Sequence, residues 1–254
     1  DNKKKLITFV TGGDPEEKTS EAILKSIIEN GADLIEIGMP FSDPMADGPT
    51  IQLSSNRAIK NNTNLDVIFR ICSNLRNNNK EIPIILMGYY NVILHYGLNN
   101  FTKKCSSIGI DGLIVVDLQP EEDLELYNLA KSYNIDLIRL ITPTTTEKRL
   151  EIITSHATGF LYYVTVTGIT GQKSADIKEL EDSVKKIRKF SKLPIVAGFG
   201  INNKQDIKKI CNYTDGVVVG SSIVKVIEKN INDRNKIIES VGNFVKDLKE
   251  GTNL

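Results

Sequence analysis

The 254-residue sequence is short of cysteine and histidine and carries no excess of either charge. Cys72, Cys105 and Cys211 stand far apart with no paired spacing, which argues against a disulfide framework or a cysteine-based zinc site and suits a reducing compartment. His95 and His156 share no motif with each other or with a cysteine, so no histidine metal centre is expected. Lys plus Arg equals Asp plus Glu at 32 each, leaving no global field to attract nucleic acid or an anionic membrane. The longest apolar runs, such as "LIVV" and "GVVVG", are far too short to cross a bilayer, and "DNKKKLITFV" lacks a signal-peptide core and cleavage site. These absences lead to the expectation of a soluble, unexported chain whose partner is a small molecule or another protein. The Asn-rich stretches "NNTN" and "NLRNNNKE" read as solvated loops.

What is present is a rhythm of short apolar runs: "LITFV", "DLIEIG", "PIILMGY", "DGLIVVD", "DLIRLI", "GFLYYVT", "LPIVAGFG" and "DGVVVG". Most lack strict polar alternation, as parallel strands do when helices cover one face and a barrel interior the other. Between them lie helical spacings, including Leu126, Leu129, Ala130 and Tyr133; Leu180, Val184 and Ile187; and Ile237, Val241, Phe244, Val245 and Leu248. Strand starts near residues 6, 33, 83, 111, 136, 159, 193 and 215 predict eight strand-helix units closing one (β/α)8 TIM barrel, a single domain over residues 1–254. No run is followed by GxGxxG, which disfavours a doubly wound open sheet. The gap from 33 to 83 is the outlier, so an enlarged loop is expected after the second strand, on the face where this fold builds active sites.

That loop lies in "IEIGMPFSDPMADGPT", residues 35 to 50. If Leu34 and Glu36 face inward, Ile35 and Ile37 face the helices, and Glu36 sits at the top of the barrel interior. Burial then raises its pKa and makes it an acid that can give and retake a proton near neutrality; an ion-paired strand Glu is the plainer alternative. Pro44, Gly48 and Pro49 stiffen the loop that can carry Asp47 back over the barrel mouth, although "ADG" by itself is an ordinary turn. In the second half, "TGITGQ", "AGFGI" and "VVVGSS" end the sixth, seventh and eighth strands. Their glycines let backbone N–H groups approach an anion, and Ser221 and Ser222 can open a helix whose N-terminus favours negative charge, so a phosphate cradle is expected there.

The sequence resembles the tryptophan synthase alpha subunit family over nearly its whole length. The resemblance rests on "FVTGGDP", "IEIGMPFSDPMADGPTIQ", "LMGYYN", "GIDGLIVVDLQPEE", "YYVTVTGITG", "AGFGI" and "GVVVGSSIV", of which "PFSDPMADGP" is highly specific. It implies a retro-aldol lyase that splits indole-3-glycerol phosphate into indole and glyceraldehyde 3-phosphate, with Glu36 as the acid-base group and Asp47 facing the indole N–H. It places Phe9, Tyr162 and Phe199 on the indole pocket and Tyr89 beside the catalytic pair. Gly171, Gly200, Gly220 and Ser221 would hold the phosphate, and Thr170 would belong to a mobile loop. The family match implies no metal and no cofactor in this chain. Its implied partner is a beta subunit carrying pyridoxal phosphate, in an alpha2-beta2 complex, facing Asp43, Asn91 and Gln119.

Two departures are visible. The chain begins almost at the first strand and without Met, where the family commonly has a preceding helix, as a trimmed chain would; and Gln119 occupies a position where the family usually has Pro. The rival readings are a phosphosugar isomerase or epimerase on the same barrel, for which the metal-binding histidines are lacking, and a non-catalytic activating subunit, against which the presence of both Glu36 and Asp47 argues. An Asn, Lys and Ile bias fits a low-GC genome, so a bacterial cytoplasm or a plastid stroma is expected.

Overall fold

The computed structural model describes residues 3–164, 173–198 and 200–253, with side chains at 173–176 outside that description. The strands are β1 (Lys5–Thr11), β2 (Leu34–Gly38), β3 (Ile84–Gly88), β4 (Gly112–Val115), β5 (Asp136–Leu137), β6 (Arg139–Ile141), β7 (Leu161–Val164), β8 (Ile195–Gly198) and β9 (Gly216–Val219). Every pairing between them is parallel, in the order β5-β4-β3-β2-β1-β9-β8-β7-β6. β5 and β6 are two pieces of the fifth barrel strand: β5 pairs with β4 and β6 with β7, and the buried Ile138 joins them, its N–H donating to Leu113 O at 3.0 Å. The architecture is the expected (β/α)8 TIM barrel, with strands beginning close to the positions read from the sequence.

Alternation along the strands sorts side chains into two apolar layers. Ile7, Ile85, Ile114, Ile138, Val196 and Val218 fill the barrel, with Leu34 packed against them. Leu6, Val10, Ile35, Ile37, Ile84 and Leu86 face outward under the helices. The helices α1 (Glu17–Glu29), α3 (Leu65–Asn78), α5 (Leu98–Ile108), α6 (Leu124–Ser132), α7 (Glu147–Ser155), α8 (Lys173–Ile187), α9 (Lys204–Cys211) and α11 (Arg234–Glu250) surround the strands, together with the shorter or inserted α2 (Pro49–Lys60), α4 (Tyr90–Tyr96) and α10 (Ser221–Lys229). The chain after the second strand is therefore a loop followed by a helix of its own, α2. The stretch "NLRNNNKE" is also corrected: it begins inside α3, where buried Leu75 anchors the turn and Arg76 donates to Gly109 O. The three cysteines are buried and free.

At the bottom of the barrel a polar contact recurs on alternate strands. The N–H of Leu6 donates to Asp33 Oδ2 at 2.7 Å, that of Ile84 to Asp111 Oδ2 at 2.8 Å, and that of Ile195 to Asp215 Oδ2 at 2.8 Å. At the remaining pair Leu137 N–H donates to Thr158 Oγ1 at 2.8 Å. Each acceptor precedes the next strand, and the three carboxylates are further held by Lys249, Arg76 and Arg188. The amides at the strand feet thus gain partners that a parallel ladder alone does not supply.

Candidate active site

Glu36 lies in β2 between Phe9 of β1 and Ile85 of β3, with its flanking Ile35 and Ile37 turned to the helix layer. It is 0% exposed, and neither carboxyl oxygen has a hydrogen-bond partner among the described residues. Burial without compensation disfavours the anion and lifts the pKa from 4.5 to about 8. The ion-paired alternative is thereby set aside. Nearby, the buried Tyr162 has its hydroxyl pushed well above the usual phenol range, first by burial and then by the Glu36 charge.

Asp47 is delivered by the loop between β2 and α2. Its N–H donates to Pro44 O at 3.0 Å, and its carbonyl accepts from Gln52 Nε2 at 2.9 Å. The Tyr89 hydroxyl donates to Asp47 Oδ2 at 3.0 Å and accepts from Ala46 N at 2.9 Å, while its ring packs on Phe41 with centroids 5.2 Å apart. Burial raises the Asp47 pKa, and the Tyr89 hydrogen bond works in the opposite direction. Tyr89 therefore reaches the site through Asp47.

Glu36 and Asp47 open on one cavity of about 440 Å³ at the carboxyl ends of the strands. Phe9 and Tyr162 line it, together with apolar side chains that sequence reasoning missed, Ile51, Met87, Val116, Leu140 and Val164. These look like ordinary strand and helix core in the sequence, and only barrel closure turns them toward a common space. Gly198 makes room for the Tyr162 ring: a Cβ there would stand 2.7 Å from its hydroxyl oxygen.

The opposite wall is built of backbone. Gly200, Gly220 and Ser221 line the same cavity, and Gly220 caps α10 without a side-chain hydrogen bond, leaving the helix N-terminus facing a space suited to an anion. Ser222, also on this wall, donates to Ile201 O at 2.5 Å and so ties the loop after β8 to α10. Among the described residues lining the cavity there is no Lys or Arg. Thr170, Gly171 and Phe199 lie outside the described residues. Asp43, Asn91 and Gln119 are exposed on the loops and helix after β2, β3 and β4, and the Gln119 side chain accepts from the Arg149 guanidinium. Among the described residues no His, Cys, Asp and Glu side chains cluster as a metal site requires, and no helix is long and apolar enough to cross a membrane.

With this geometry in place, comparison with known proteins gives concordant findings. The family described as tryptophan synthase alpha chain matches residues 1–253. The tryptophan synthase alpha chain of Geobacter sp. (strain M21) is 46% identical over 248 residues, covering 98% of this chain and 92% of that one. Among solved structures, tryptophan synthase subunit alpha from Legionella pneumophila str. Paris superposes with a TM-score of 0.91 at 32% identity, covering 98% of this chain and 93% of that one. A structure of Mycobacterium tuberculosis tryptophan synthase gives 0.90 at 27% identity, covering 100% and 94%.

Proposed function

Because the chain belongs to the tryptophan synthase alpha chain family, and so cleaves indole-3-glycerol phosphate to indole and glyceraldehyde 3-phosphate as a carbon-carbon lyase, we propose that Glu36 moves the protons of that cleavage and Asp47 steadies the charge that builds on the ring. The bond to be broken joins an electron-rich ring carbon to the glycerol chain. Indole leaves poorly until that carbon is protonated, and Glu36, held protonated near neutrality by its burial, is the donor. As the bond breaks, the hydroxyl-bearing carbon becomes the aldehyde and its hydroxyl proton passes to the emptied carboxylate. One proton is delivered and one recovered, so the residue ends as it began.

Protonation leaves the ring positive, and Asp47, at the same cavity and hydrogen-bonded by Tyr89, faces the ring N–H and stabilises that charge. Phe9, Tyr162 and Phe199 wall the ring. Gly200, Gly220 and Ser221 hold the phosphate through backbone N–H groups and a hydroxyl, and the family resemblance adds Gly171 and Thr170, which lie outside the described residues. The observation that carries this reading is the Glu36 carboxyl itself, wholly buried, unpartnered among the described residues and open to the cavity that Asp47 shares. A phosphosugar isomerase or epimerase is not favoured by the relatives found.

No cofactor is assigned to this chain; pyridoxal phosphate is assigned to a beta subunit that receives the indole, in an alpha2-beta2 complex. The face carrying Asp43, Asn91 and Gln119 also bears Met45, Leu94 and Leu124, which are 86%, 54% and 63% exposed. Large bare apolar side chains on this surface suit a partner that covers it. The deciding experiment on the chemistry is Glu36→Gln in a purified chain: indole release is expected to fall by about 10²- to 10⁴-fold while a glycerol phosphate analogue still binds. Retention of most of the turnover would remove Glu36 from the mechanism, and absence of indole release by the parent chain would return the non-catalytic reading.

A further inference from the structure

The inserted helix α2 is fastened to the first strand and the loop that follows it in consecutive steps. Ile51 clusters with Phe9, and Ser54 Oγ lies 2.5 Å from Thr11 Oγ1. Arg57 donates Nε and Nη2 to the two oxygens of Asp14 at 2.8 and 2.9 Å, and Asn61 Nδ2 donates to Pro15 O at 2.6 Å. Helix positions 51, 54 and 57 and the capping Asn61 follow one side of α2 and take residues 9, 11, 14 and 15 in chain order. Ser54 and Asp14 are 0% and 1% exposed, while Arg57 is half-buried and the Asn61 contact lies at the surface. At its other end α2 begins where the catalytic loop stops: Asp47 directly precedes the capping Gly48, and Gln52 from the first turn holds the Asp47 carbonyl. A displacement of the helix therefore carries Asp47 with it. Arg57 also places Nη1 3.5 Å from Glu228 of α10, the helix whose N-terminus lines the phosphate wall.

We propose that Asp14 and Arg57 form a positioning pair for Asp47, fixing the rotation and height of α2 so that the Asp47 carboxylate meets the substrate ring. This rests on the reading of Asp47 given above. Neither member of the pair lines the cavity, so neither touches substrate. The chemistry of the two groups suits that role, because a bidentate guanidinium-carboxylate contact sets direction as well as distance, which apolar packing along a helix does not. An ion pair whose carboxylate is buried and whose guanidinium is half-buried is a poor source of net stability compared with apolar packing, so geometry is the better account of finding one here. Burial raises the Asp14 pKa and the guanidinium opposes that rise, so the pair acts as a unit.

The test is a double-mutant cycle on the purified full chain, following indole release from indole-3-glycerol phosphate, with melting temperature recorded for every variant. Arg57→Met is expected to lower kcat by about 10- to 100-fold, the scale of an ångström-sized misplacement, with KM little changed. In the Asp47→Asn background the same change should lower kcat by less than about threefold, since groups acting through one another are not additive. Arg57→Lys, which retains the charge beside Asp14 but not the two-pronged contact, should fall between parent and Arg57→Met. An equal fold loss in both backgrounds would make the pair merely structural and overturn the inference, as would unaltered kcat in Arg57→Met when Asp47→Asn is impaired. If Asp47→Asn turns over like the parent, the reading of Asp47 itself fails, and that failure is distinguishable from the others. Should Arg57→Met not fold, the same cycle run with Arg57→Lys applies the same criterion.

Discussion

Replacing Glu36 by Gln should make the protein more resistant to unfolding in alkaline buffer while cutting its turnover by about 10²- to 10⁴-fold. The folded-state pKa of Glu36 is about 8 against an ordinary 4.5, so the folded chain binds this proton more tightly than the unfolded chain. Its contribution to stability is intact below the unfolded value and is lost as pH rises toward 8, because burying the group then requires either taking up a proton or hiding a charge. Between pH 5 and pH 8 the loss approaches about 1.4 kcal/mol per pH unit over most of the window, or about 3–4 kcal/mol in all. Glutamine has no proton to lose and escapes this term. Asp14 and Asp47, also raised by burial, titrate alike in both proteins and cancel from the comparison. For a domain of this size the melting-temperature difference between Glu36→Gln and the parent should shift in favour of the variant by roughly 10 °C from pH 5 to pH 8. Calorimetry or thermal circular dichroism at the two pH values measures it. A difference that does not change with pH would show that Glu36 is not an uncompensated buried acid, and the proton-transfer role built on that state would lose its footing.

Four further outcomes are expected. The kcat/KM of the parent should decline as pH rises through about 8, the Glu36 value, and the residual rate of Glu36→Gln should lack that limb; a shared limb would assign it to another group. Tyr89→Phe strips Asp47 of the donor that lowers its pKa and leaves the Ala46 N–H bare; a stability loss of about 1–3 kcal/mol and an upward move of any Asp47-dependent limb are expected, and an unmoved limb would separate Tyr89 from Asp47. Gly220→Val drives a Cβ to 3.2 Å from the Phe9 side chain and a larger group into the cavity wall proposed to hold the phosphate; glycerol phosphate affinity should drop by about tenfold or more in a variant with parent-like circular dichroism, and undiminished affinity would put the phosphate elsewhere. A cognate beta subunit titrated into the lyase assay should raise turnover by about 5- to 150-fold, with Asp43→Ala reducing the gain; no change at saturation would deny the coupling.

The barrel was legible because its strands are apolar on both faces and its helices on one, a contrast that needs no partner to be seen. The facing of Glu36 followed from period-two alternation around Ile35 and Ile37. The break in the fifth strand at Ile138 left no trace in "DLIRLI", since each piece is a charged residue followed by apolar ones and Ile138 between them is apolar too. Helix α2 was hidden for a different reason: of its buried residues Ile51, Ser54, Ser55 and Ala58 two are serines and only Ile51 is a large apolar side chain, and it docks by hydrogen bonds that periodicity does not register. The Asp14 contact with Arg57 spans 43 residues of sequence, and nothing local marks either side chain for the other. The aspartates at the strand feet were in plain view in "DLIEIG", "DGLIVVD" and "DGVVVG", but their hydrogen bonds go to amides of the preceding strand, which only the fold brings alongside.

Those strand-foot contacts also say where this barrel can be cut. Each one joins an odd barrel strand to the even strand that follows it, so the self-contained piece is a strand pair with its helices: β1 with β2, β3 with β4, the β5 and β6 halves with β7, and β8 with β9. Crossover points placed before β3, β5 or β8 leave every such contact inside one parental segment. Crossovers before β2, β4, β7 or β9 split one, pairing an amide from one parent with whatever side chain the other supplies. In chimaeras assembled from two relatives, soluble yield should therefore alternate with crossover position, high at the boundaries between pairs and low within them, whichever relative contributes the chemistry at the other end of the barrel.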